Sequence, residues 1–311
     1  MTQFAFVFPG QGSQAVGMLD AWGDHPEVLR TLAEASSALG EDIGALIKNG
    51  PKEQLDLTTN TQPVMLTAGI ACYRAWIAET GLTPVAAAGH SLGEYTALVA
   101  SGALSLADAL PLVRFRAQAM QEAVPVGVGA MYAILGLEGE AVRAGCAQAA
   151  AESGEVIEAV NFNDPKQTVI AGSKAGAEKA AEILKAAGAK RALPLPVSAP
   201  FHSSLMKPAA ERLREKLASV RFGAQAFPVI NNIDVAVTTE ADALRDALYR
   251  QAFGPVRWVE VVQALKARGL THIIECGPGK VLAGMAKRID GELQSATIFD
   301  PASLAEVKGM L

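Results

Sequence analysis

Short, continuously apolar runs, separated by helix-like segments, constrain the fold of this chain more than any other feature. Strands buried on both faces show no alternation of apolar and polar residues, so these runs predict a parallel sheet covered by helices on both sides. The chain has 311 residues, half of them hydrophobic, which is enough to bury such a core. The runs are FAFVF (4–8), VAAAGH (85–90), PVINNI (228–233), THIIECG (271–277) and ATIFD (296–300).

The middle of the chain changes pattern and predicts a second, smaller domain. Its segments follow the order strand, helix, strand, strand, helix, strand, which is the order of the ferredoxin-like unit. We therefore expect a ferredoxin-like small domain at 128–197, inserted into a discontinuous α/β-hydrolase-like domain of residues 1–127 plus 198–311. The segments are GAMYAILGL, EGEAVRAGCAQAAA, VIEAVNFN, TVIAGS, KAGAEKAAEILKAAG and KRALPLPV.

Two helices outside that region have recognisable first turns. Asn60-Thr61-Gln62-Pro63 predicts a helix start, and the helix that follows extends to about Thr80-Gly81. Ser105, with Asp108 three residues later, predicts a second start before an apolar stripe at helical spacing. Pro111 should kink this second helix or lie near its first turn.

Composition excludes several classes of function. The net charge is −5, and no block of Lys and Arg is interleaved with aromatic residues, which argues against a nucleic-acid partner. The first residues lack a basic segment, and their apolar run is too short for a signal peptide or a membrane span. The three cysteines, Cys72, Cys146 and Cys276, show neither metal-ligand spacing nor a disulfide framework. We therefore expect buried thiols and a cytoplasmic protein.

A serine lies between two glycines where a predicted strand gives way to a helix. The stretch Gly89-His90-Ser91-Leu92-Gly93 follows an apolar run and precedes an amphipathic segment, as in the nucleophile elbow of serine hydrolases. At such a turn the backbone N–H of Leu92 would point toward a developing oxyanion. The alternative is a tight turn in which the small residues serve packing alone.

A serine nucleophile needs a base, and the chain contains four histidines. His90 adjoins Ser91, and neighbouring side chains at such a turn diverge. His25 is predicted in a surface loop, and His272 in a strand. His202 follows a proline-rich stretch that leaves the small domain, and loops of this kind carry function. Elimination therefore favours His202 as the base.

Two other glycine-containing stretches resemble nucleotide-binding loops without matching them. FPGQGSQ (8–14) departs from the G-x-G-x-x-G spacing and lacks the acidic residue expected after a second strand, so a dinucleotide site is not expected. A loop that presents backbone N–H groups or the Gln11 amide to the catalytic centre is favoured instead. GPGK (277–280) lacks the P-loop spacing and predicts a turn into a helix.

Assembled in order, these stretches resemble the malonyl-CoA:acyl carrier protein transacylase family of type II fatty-acid synthesis. The resemblance covers essentially the whole chain, and its fold is an α/β-hydrolase-like domain with a ferredoxin-like insert. It implies transfer of a malonyl group from malonyl-CoA to the phosphopantetheine thiol of acyl carrier protein, through a malonyl-serine. The motifs are FPGQGSQ, TQP (61–63), GHSLGEY, QEAVPVGVGAM, NFNDP, KRALPLPVSAPFH, RQAFGPVRW and GPGKVL.

The resemblance also implies roles for single residues. Ser91 becomes the acylated nucleophile and His202 its general base, with Gln11 and the Leu92 N–H at the oxyanion hole. The backbone carbonyl of Gln251 orients the histidine, and no acidic third triad member is identified.

The resemblance makes Arg116 the partner of the malonyl carboxylate. Helical periodicity does not choose between Arg116 and Arg114, because both flank the apolar face of their helix. Only the family match favours Arg116.

The implied substrates are malonyl-CoA and holo acyl carrier protein, with no cofactor, metal, nucleic acid or membrane, and the chain is expected to be a monomer. Because acyl carrier proteins of this pathway are acidic, Lys190-Arg191 is a candidate docking site, although two basic residues also suit a solvated face. One alternative is an acyltransferase for polyketide synthesis or another extender unit, although Phe201 resembles the malonyl type. Others are a serine thioesterase or esterase and a non-catalytic binding module.

Overall fold

A computed structural model describes residues 3–197 and 199–311. The first part of the chain forms two strands and most of the helices that flank them, with a short 3-10 helix at Asp20–Trp22. In chain order its elements are β1 (Phe4–Phe8), α1 (Pro26–Leu39), α2 (Ile43–Asn49), α3 (Lys52–Leu55), α4 (Thr58–Thr80), β2 (Ala86–Gly89), α5 (Leu92–Ala100) and α6 (Leu106–Glu122).

The remaining elements form the smaller sheet and complete the larger one. The smaller sheet and its helices comprise β3 (Gly129–Leu135), α7 (Gly139–Ser153), β4 (Ile157–Asp164), β5 (Gln167–Ser173), α8 (Lys174–Ala186) and β6 (Arg191–Pro194). A 3-10 helix at Ser204–Met206 precedes the last group. That group contains α9 (Lys207–Ala218), β7 (Val229–Ile230), α10 (Ala241–Gln251), α11 (Trp258–Ala267), β8 (His272–Cys276), α12 (Val281–Ile289), β9 (Gln294–Ile298) and α13 (Pro301–Met310).

The larger sheet is parallel, in the order β7-β2-β1-β8-β9, and helices cover both of its faces. Alternate side chains of β1 show why its sequence is apolar throughout. Phe6 packs edge-on against Trp76 of α4 on one face, with ring centroids 5.9 Å apart. Val7 belongs to the core on the other face, together with Trp258 of α11. The predicted parallel sheet, buried on both sides, is confirmed.

Two predicted strands differ from the observed ones at their ends. The strand predicted at 228–233 is reduced to the two residues of β7, because the chain turns away to place Asn232 against the turn after β2. The strand predicted at 296–300 is observed two residues earlier, as β9. Asp300 instead caps α13, where its side chain accepts the N–H of Ser303 at 2.7 Å.

The two predicted helix starts are close to the observed ones. Helix α4 begins at Thr58, two residues before Asn60, and ends at Thr80 with Gly81 in the left-handed conformation (φ 67°). The Ser105 hydroxyl accepts the N–H of Asp108 at 3.0 Å, as the predicted cap requires. Pro111 lies within α6, which continues through it.

The smaller sheet is antiparallel in the order β4-β5-β3-β6, which confirms the predicted strand and helix order. Helices α7 and α8 cover one face. The other face packs Met131 and Val169 against Met120 of α6 and Phe201. The division at 128–197 stays a proposal, and its boundary at Ser198 lies outside the described residues.

All three cysteines are buried and free. Burial raises the pKa of Cys72 and of Cys146 to about 12, so neither thiol is ionised at neutral pH. Among the described helices, none is both long enough and apolar enough to cross a bilayer.

Candidate active site

The turn between β2 and α5 places Ser91 in a strained conformation. Its φ of 53° and ψ of −106° lie outside the regions that most residues adopt. The flanking glycines are required by close backbone contacts. A Cβ on Gly89 would lie 1.9 Å from the Gly93 carbonyl carbon, and a Cβ on Gly93 would lie 2.0 Å from the Phe8 carbonyl oxygen. The sharp turn therefore needs glycine at both positions, and it presents the serine hydroxyl at the start of a helix.

Asn232 closes this turn from the neighbouring strand. Its Oδ1 accepts the backbone N–H of Ser91 at 2.8 Å, and its Nδ2 donates to the Gly89 carbonyl at 2.7 Å. The strained turn leaves both backbone groups without partners in a helix or sheet ladder, and Asn232 satisfies them together. Asn232 is itself completely buried.

Ser91 and His202 are in direct contact, although 111 residues separate them in the sequence. The serine Oγ lies 2.7 Å from Nε2 of His202, and Nδ1 of His202 lies 2.9 Å from the backbone oxygen of Gln251. A carbonyl oxygen only accepts, so Nδ1 carries the proton and Nε2 offers its lone pair to the serine. The three residues thus form a chain of hydrogen bonds that ends on a backbone carbonyl rather than a carboxylate.

The surroundings of His202 keep its imidazole neutral. Burial and then the positive charge of Arg116 lower its pKa to about 3, while the hydrogen bond to Gln251 opposes this shift. The free base is therefore present throughout the neutral pH range. The backbone of His202 has a positive φ of 66°, so both members of the pair lie on strained segments.

The structure separates the two arginines that periodicity left equivalent. Arg114 forms an ion pair with Glu41 and donates to Asn60, away from Ser91. Arg116 is 2% exposed and donates from Nη2 to Ser91 Oγ at 3.2 Å. Its other acceptors are neutral amide oxygens, Gln62 Oε1 at 2.7 Å and Gln251 Oε1 at 3.0 Å. Arg116 is therefore a buried cation whose hydrogen-bond partners at this site carry no charge.

Gln11 and Leu92 lie beside the serine on the wall of a cavity of about 310 Å³. The Gln11 side-chain amide is engaged with Thr58, since its Nε2 donates to Thr58 Oγ1 at 3.1 Å. Its contribution to an oxyanion would therefore come from the backbone N–H. As the first residue of α5, Leu92 has no partner one turn earlier in the helix for its own N–H.

The same cavity extends between the two sheets. Its walls include Met131, Asn161 and Asn163 from the smaller sheet and Leu282 and Met285 from α12. Most of the exposed lining is apolar, with a small number of polar side chains, an arrangement typical of substrate sites.

The other histidines do not contact the Ser91 hydroxyl. His90 points away from it, as predicted, with Nε2 2.8 Å from Asn163 Oδ1. His25 lies at the end of the loop before α1, as predicted, and caps that helix by accepting the N–H of Glu27 at 3.3 Å. His272 begins β8, where Nδ1 contacts the Thr271 hydroxyl.

Sequence reasoning missed three residues that complete this site: Gln62, Glu94 and Asn232. Gln62 lies in a predicted helix start and in the TQP motif, and Asn232 lies in a predicted strand, but neither pattern assigns the residue a role. Polar residues at the carboxyl end of a strand beside β2 were the available signal for Asn232, because sites form at that edge of a parallel sheet. No periodicity signal marks Glu94, which is buried on a helix of low polarity. The described residues contain no group of three acidic, histidine or cysteine side chains arranged for a metal.

Comparison with known proteins relates this geometry to a family. The sequence model of the acyl transferase domain matches residues 5–298. The chain is 53% identical over 306 residues to the malonyl CoA-acyl carrier protein transacylase of Escherichia coli K12, with 98% of each chain covered.

Two solved structures are similar over nearly their whole length. An acyl-carrier-protein S-malonyltransferase from Burkholderia pseudomallei 1710b is 67% identical, with coverage of 98% of this chain and 99% of that one and a TM-score of 0.96. A malonyl-transacylase in complex with a type II polyketide synthase acyl carrier protein is 48% identical, with both chains fully covered and a TM-score of 0.97. The chain therefore belongs to the acyl transferase family, among the malonyl CoA-acyl carrier protein transacylases.

Proposed function

We propose that this enzyme transfers the malonyl group of malonyl-CoA to the phosphopantetheine thiol of acyl carrier protein, through a malonyl ester on Ser91. The observation that carries the proposal is the contact of one serine hydroxyl with both a neutral histidine and a buried arginine, at 2.7 and 3.2 Å. The histidine suits acyl transfer, and the arginine suits an acyl group that ends in a carboxylate. A general serine esterase has no use for the second contact.

In the first half-reaction, His202 Nε2 takes the proton of Ser91 while Oγ attacks the thioester carbonyl carbon. The tetrahedral oxyanion is stabilised by the backbone N–H groups of Leu92 and Gln11. As the C–S bond breaks, the imidazolium returns the proton to the sulfur, which leaves CoA as a thiol. The products are malonyl-Ser91 and neutral His202.

The second half-reaction reverses these steps with a different thiol. His202 takes the proton of the phosphopantetheine thiol, and the thiolate attacks the ester carbonyl. Collapse breaks the bond to Ser91 Oγ and returns the proton to the serine. One thioester replaces another, so we expect ping-pong kinetics that are close to reversible.

Arg116 supports both binding and chemistry in this scheme. A guanidinium binds a carboxylate through two directional, charge-assisted hydrogen bonds. In the free enzyme its charge disfavours the imidazolium that the reaction must form, since it helps to lower the pKa of His202. A bound malonyl carboxylate pairs directly with that charge, whereas an acetyl group brings no carboxylate to it. Selectivity for malonyl therefore arises in the transition state as well as in binding.

We further propose that the enzyme supplies fatty-acid elongation, needs no cofactor and works in the cytoplasm as a monomer. The names of the relatives support the role in fatty-acid elongation. The free buried thiols support a cytoplasmic location. Supply of polyketide synthesis is the second candidate. The 48% identical relative, whose structure contains a type II polyketide synthase carrier protein, favours it.

The test is the intact mass of the protein after brief incubation with malonyl-CoA, methylmalonyl-CoA or acetyl-CoA. We expect a malonyl increment on the wild type that holo acyl carrier protein removes, and no increment on Ser91→Ala. Accumulation of free malonate without an adduct would instead identify a hydrolase. If neither adduct nor turnover is observed, the turn at Ser91 serves packing alone.

A further inference from the structure

A buried carboxylate lies behind Ser91, and the reaction described above does not use it. Glu94 is on α5, three residues after the nucleophile, and is 1% exposed. A single oxygen, Oε2, accepts the backbone N–H of Asn232 at 2.8 Å and Nε2 of Gln251 at 3.0 Å. Asn232 holds the turn at Ser91, and Gln251 contacts both Arg116 and His202. One residue therefore separates Glu94 from each of Ser91, His202 and Arg116.

The Gln251 amide separates Glu94 from Arg116. Its Nε2 donates to Glu94 and, at 3.0 Å, to the backbone oxygen of Ser91, while its Oε1 accepts from Arg116. The reversed amide would place an NH₂ group against the guanidinium and an oxygen against the carboxylate. Both contacts would be repulsive, so the two charges impose one orientation on the amide between them.

Because the Gln251 amide lies between them, Glu94 provides a counter-charge to Arg116 without accepting any of its N–H groups directly. No carboxylate of the described chain lies within ion-pair distance of Arg116, although isolated buried charges are costly. Glu94 is the carboxylate linked to it through one amide. A direct ion pair would have to be broken by an incoming carboxylate, whereas a neutral amide oxygen leaves the cation free to form a new one.

We propose that Glu94 is a positioning residue whose negative charge, held away from Arg116 by Gln251, offsets the positive charges of Arg116 and of the imidazolium formed at His202. The inference rests on the proposed transacylase function and adds an electrostatic support to it. Glu94 contacts neither substrate nor the reacting atoms, and it acts through Gln251 and Asn232.

The charge of Glu94 can be removed by pH as well as by mutation. Burial raises its pKa to about 7, against the opposing effects of Gln251, Asn232 and Arg116. The other ionisable groups that interact with it are Tyr95 on its own helix and Asp234, in the loop after β7. Below pH 7 the carboxyl takes up a proton and its charge is lost. His202 has a pKa of about 3, so it does not itself titrate in this range.

The test compares wild type with Glu94→Gln in single-turnover acylation by malonyl-CoA, quenched and measured by mass from pH 5.5 to 8.5. A glutamine oxygen can accept both N–H groups that Oε2 accepts, so the substitution keeps these two hydrogen bonds while it removes the charge and replaces Oε1 with an NH₂ group. As the pH is lowered, we expect the wild-type rate to fall about tenfold with a midpoint near pH 7. This decrease is smaller than the loss of rate that follows removal of a direct oxyanion donor. Glu94→Gln should show the low-pH rate of wild type at every pH.

Glu275→Gln is the matched control. Glu275 is a completely buried carboxyl on β8 whose pKa burial likewise raises to about 7, and it accepts the N–H of Ala283 in α12. This variant should keep the wild-type decrease in rate below pH 7. A decrease that disappears in Glu275→Gln but persists in Glu94→Gln would overturn the inference.

A wild-type rate that is flat from pH 5.5 to 8.5, or a Glu94→Gln profile identical to wild type, would also overturn it. If circular dichroism shows that Glu94→Gln is unfolded, the wild-type and Glu275→Gln profiles decide, because pH neutralises Glu94 without mutation. Failure of the proposed function is distinct, since wild type would then form no malonyl adduct at any pH.

Discussion

At the scale of single residues, the proposed chemistry depends on a cation that is held by neutral groups. Arg116 is fixed by two glutamine oxygens and the serine hydroxyl, so its geometry is set before a substrate carboxylate arrives. Hydrogen bonds to charged groups contribute about 1.5–3 kcal/mol each, and a ligand that cannot form them leaves a buried charge unpaired.

Arg116→Ala should therefore change the choice of acyl group more than the ability to acylate. We expect the malonyl to acetyl ratio of kcat/KM to fall by at least about tenfold, because one lost charged hydrogen bond corresponds to roughly that factor. The measurement is the adduct formed from each CoA ester in competition. Arg114→Ala is the control on the same helix, since its partners Glu41 and Asn60 lie away from Ser91. An unchanged ratio in Arg116→Ala would contradict the assignment.

At the scale of elements, the junction of β2 and α5 combines strain with close packing. The positive φ of Ser91 is stabilised by Asn232 on one side and by glycine contacts on the other. The helix can therefore begin directly at the strand end, and its first N–H groups face the site. Such strain persists only where the surroundings over-determine it.

Gly93→Ala tests this junction. The new Cβ would lie 2.0 Å from the Phe8 carbonyl oxygen, so β1 and α5 would have to separate. We expect the free energy of unfolding to fall by about 3 kcal/mol or more, at the upper end for overpacked cores. Urea denaturation followed by circular dichroism measures it.

Gly309→Ala is the matched control for that substitution. Gly309 lies within α13, and nothing would contact an added Cβ within 4 Å. Alanine there should raise stability by about 0.5–1 kcal/mol, because glycine is a poor helix former. Equal effects of the two substitutions would show that the predicted contact at Gly93 does not exist.

At the scale of the whole molecule, the site opens between the two sheets, where a second cavity adjoins it. That cavity, of about 340 Å³, is lined by Lys166, Lys190 and Arg288 and shares Gln167 with the first. Lys166 forms an ion pair with Glu138 and Arg288 forms one with Asp164, so Lys190 is the cation of this lining that has no ion pair among the described residues. Its charge fits the proposed docking of an acidic carrier protein.

Charge reversal at Lys190 and Arg191, both exposed, should weaken docking of the carrier protein without affecting CoA. We expect KM for holo acyl carrier protein to rise about fivefold to tenfold, and the effect to shrink at high salt. Steady-state kinetics of the second half-reaction measure it, with single-turnover acylation by malonyl-CoA as the internal reference. Lys216→Glu combined with Arg221→Glu, at two exposed positions on and just after α9, produces the same change in net charge and is the control. Equal losses in both half-reactions would count against a docking role.

Much of this molecule was predictable because its signals are local. Continuous apolar runs of five to seven residues indicate strands buried on both faces, and they located all five strands of the larger sheet to within a few residues. The cap at Ser105 depends on residues three apart. The glycines around Ser91 likewise indicated the sharp turn, because the backbone geometry of a turn depends on the residues that form it.

The rest was decided by tertiary contacts between distant segments. Asn232 and Gln251 reach Ser91 across 141 and 160 residues, and no periodicity encodes such a distance. Arg114 and Arg116 are equivalent on their helix, and only the packing of α4 and α5 against that helix, with Gln251 at the end of α10, directs Arg116 to the serine. The sequence alone therefore determined the elements and singled out Ser91. The partners of Ser91 were decided by the fold, because a polar side chain acquires its role from the groups buried with it.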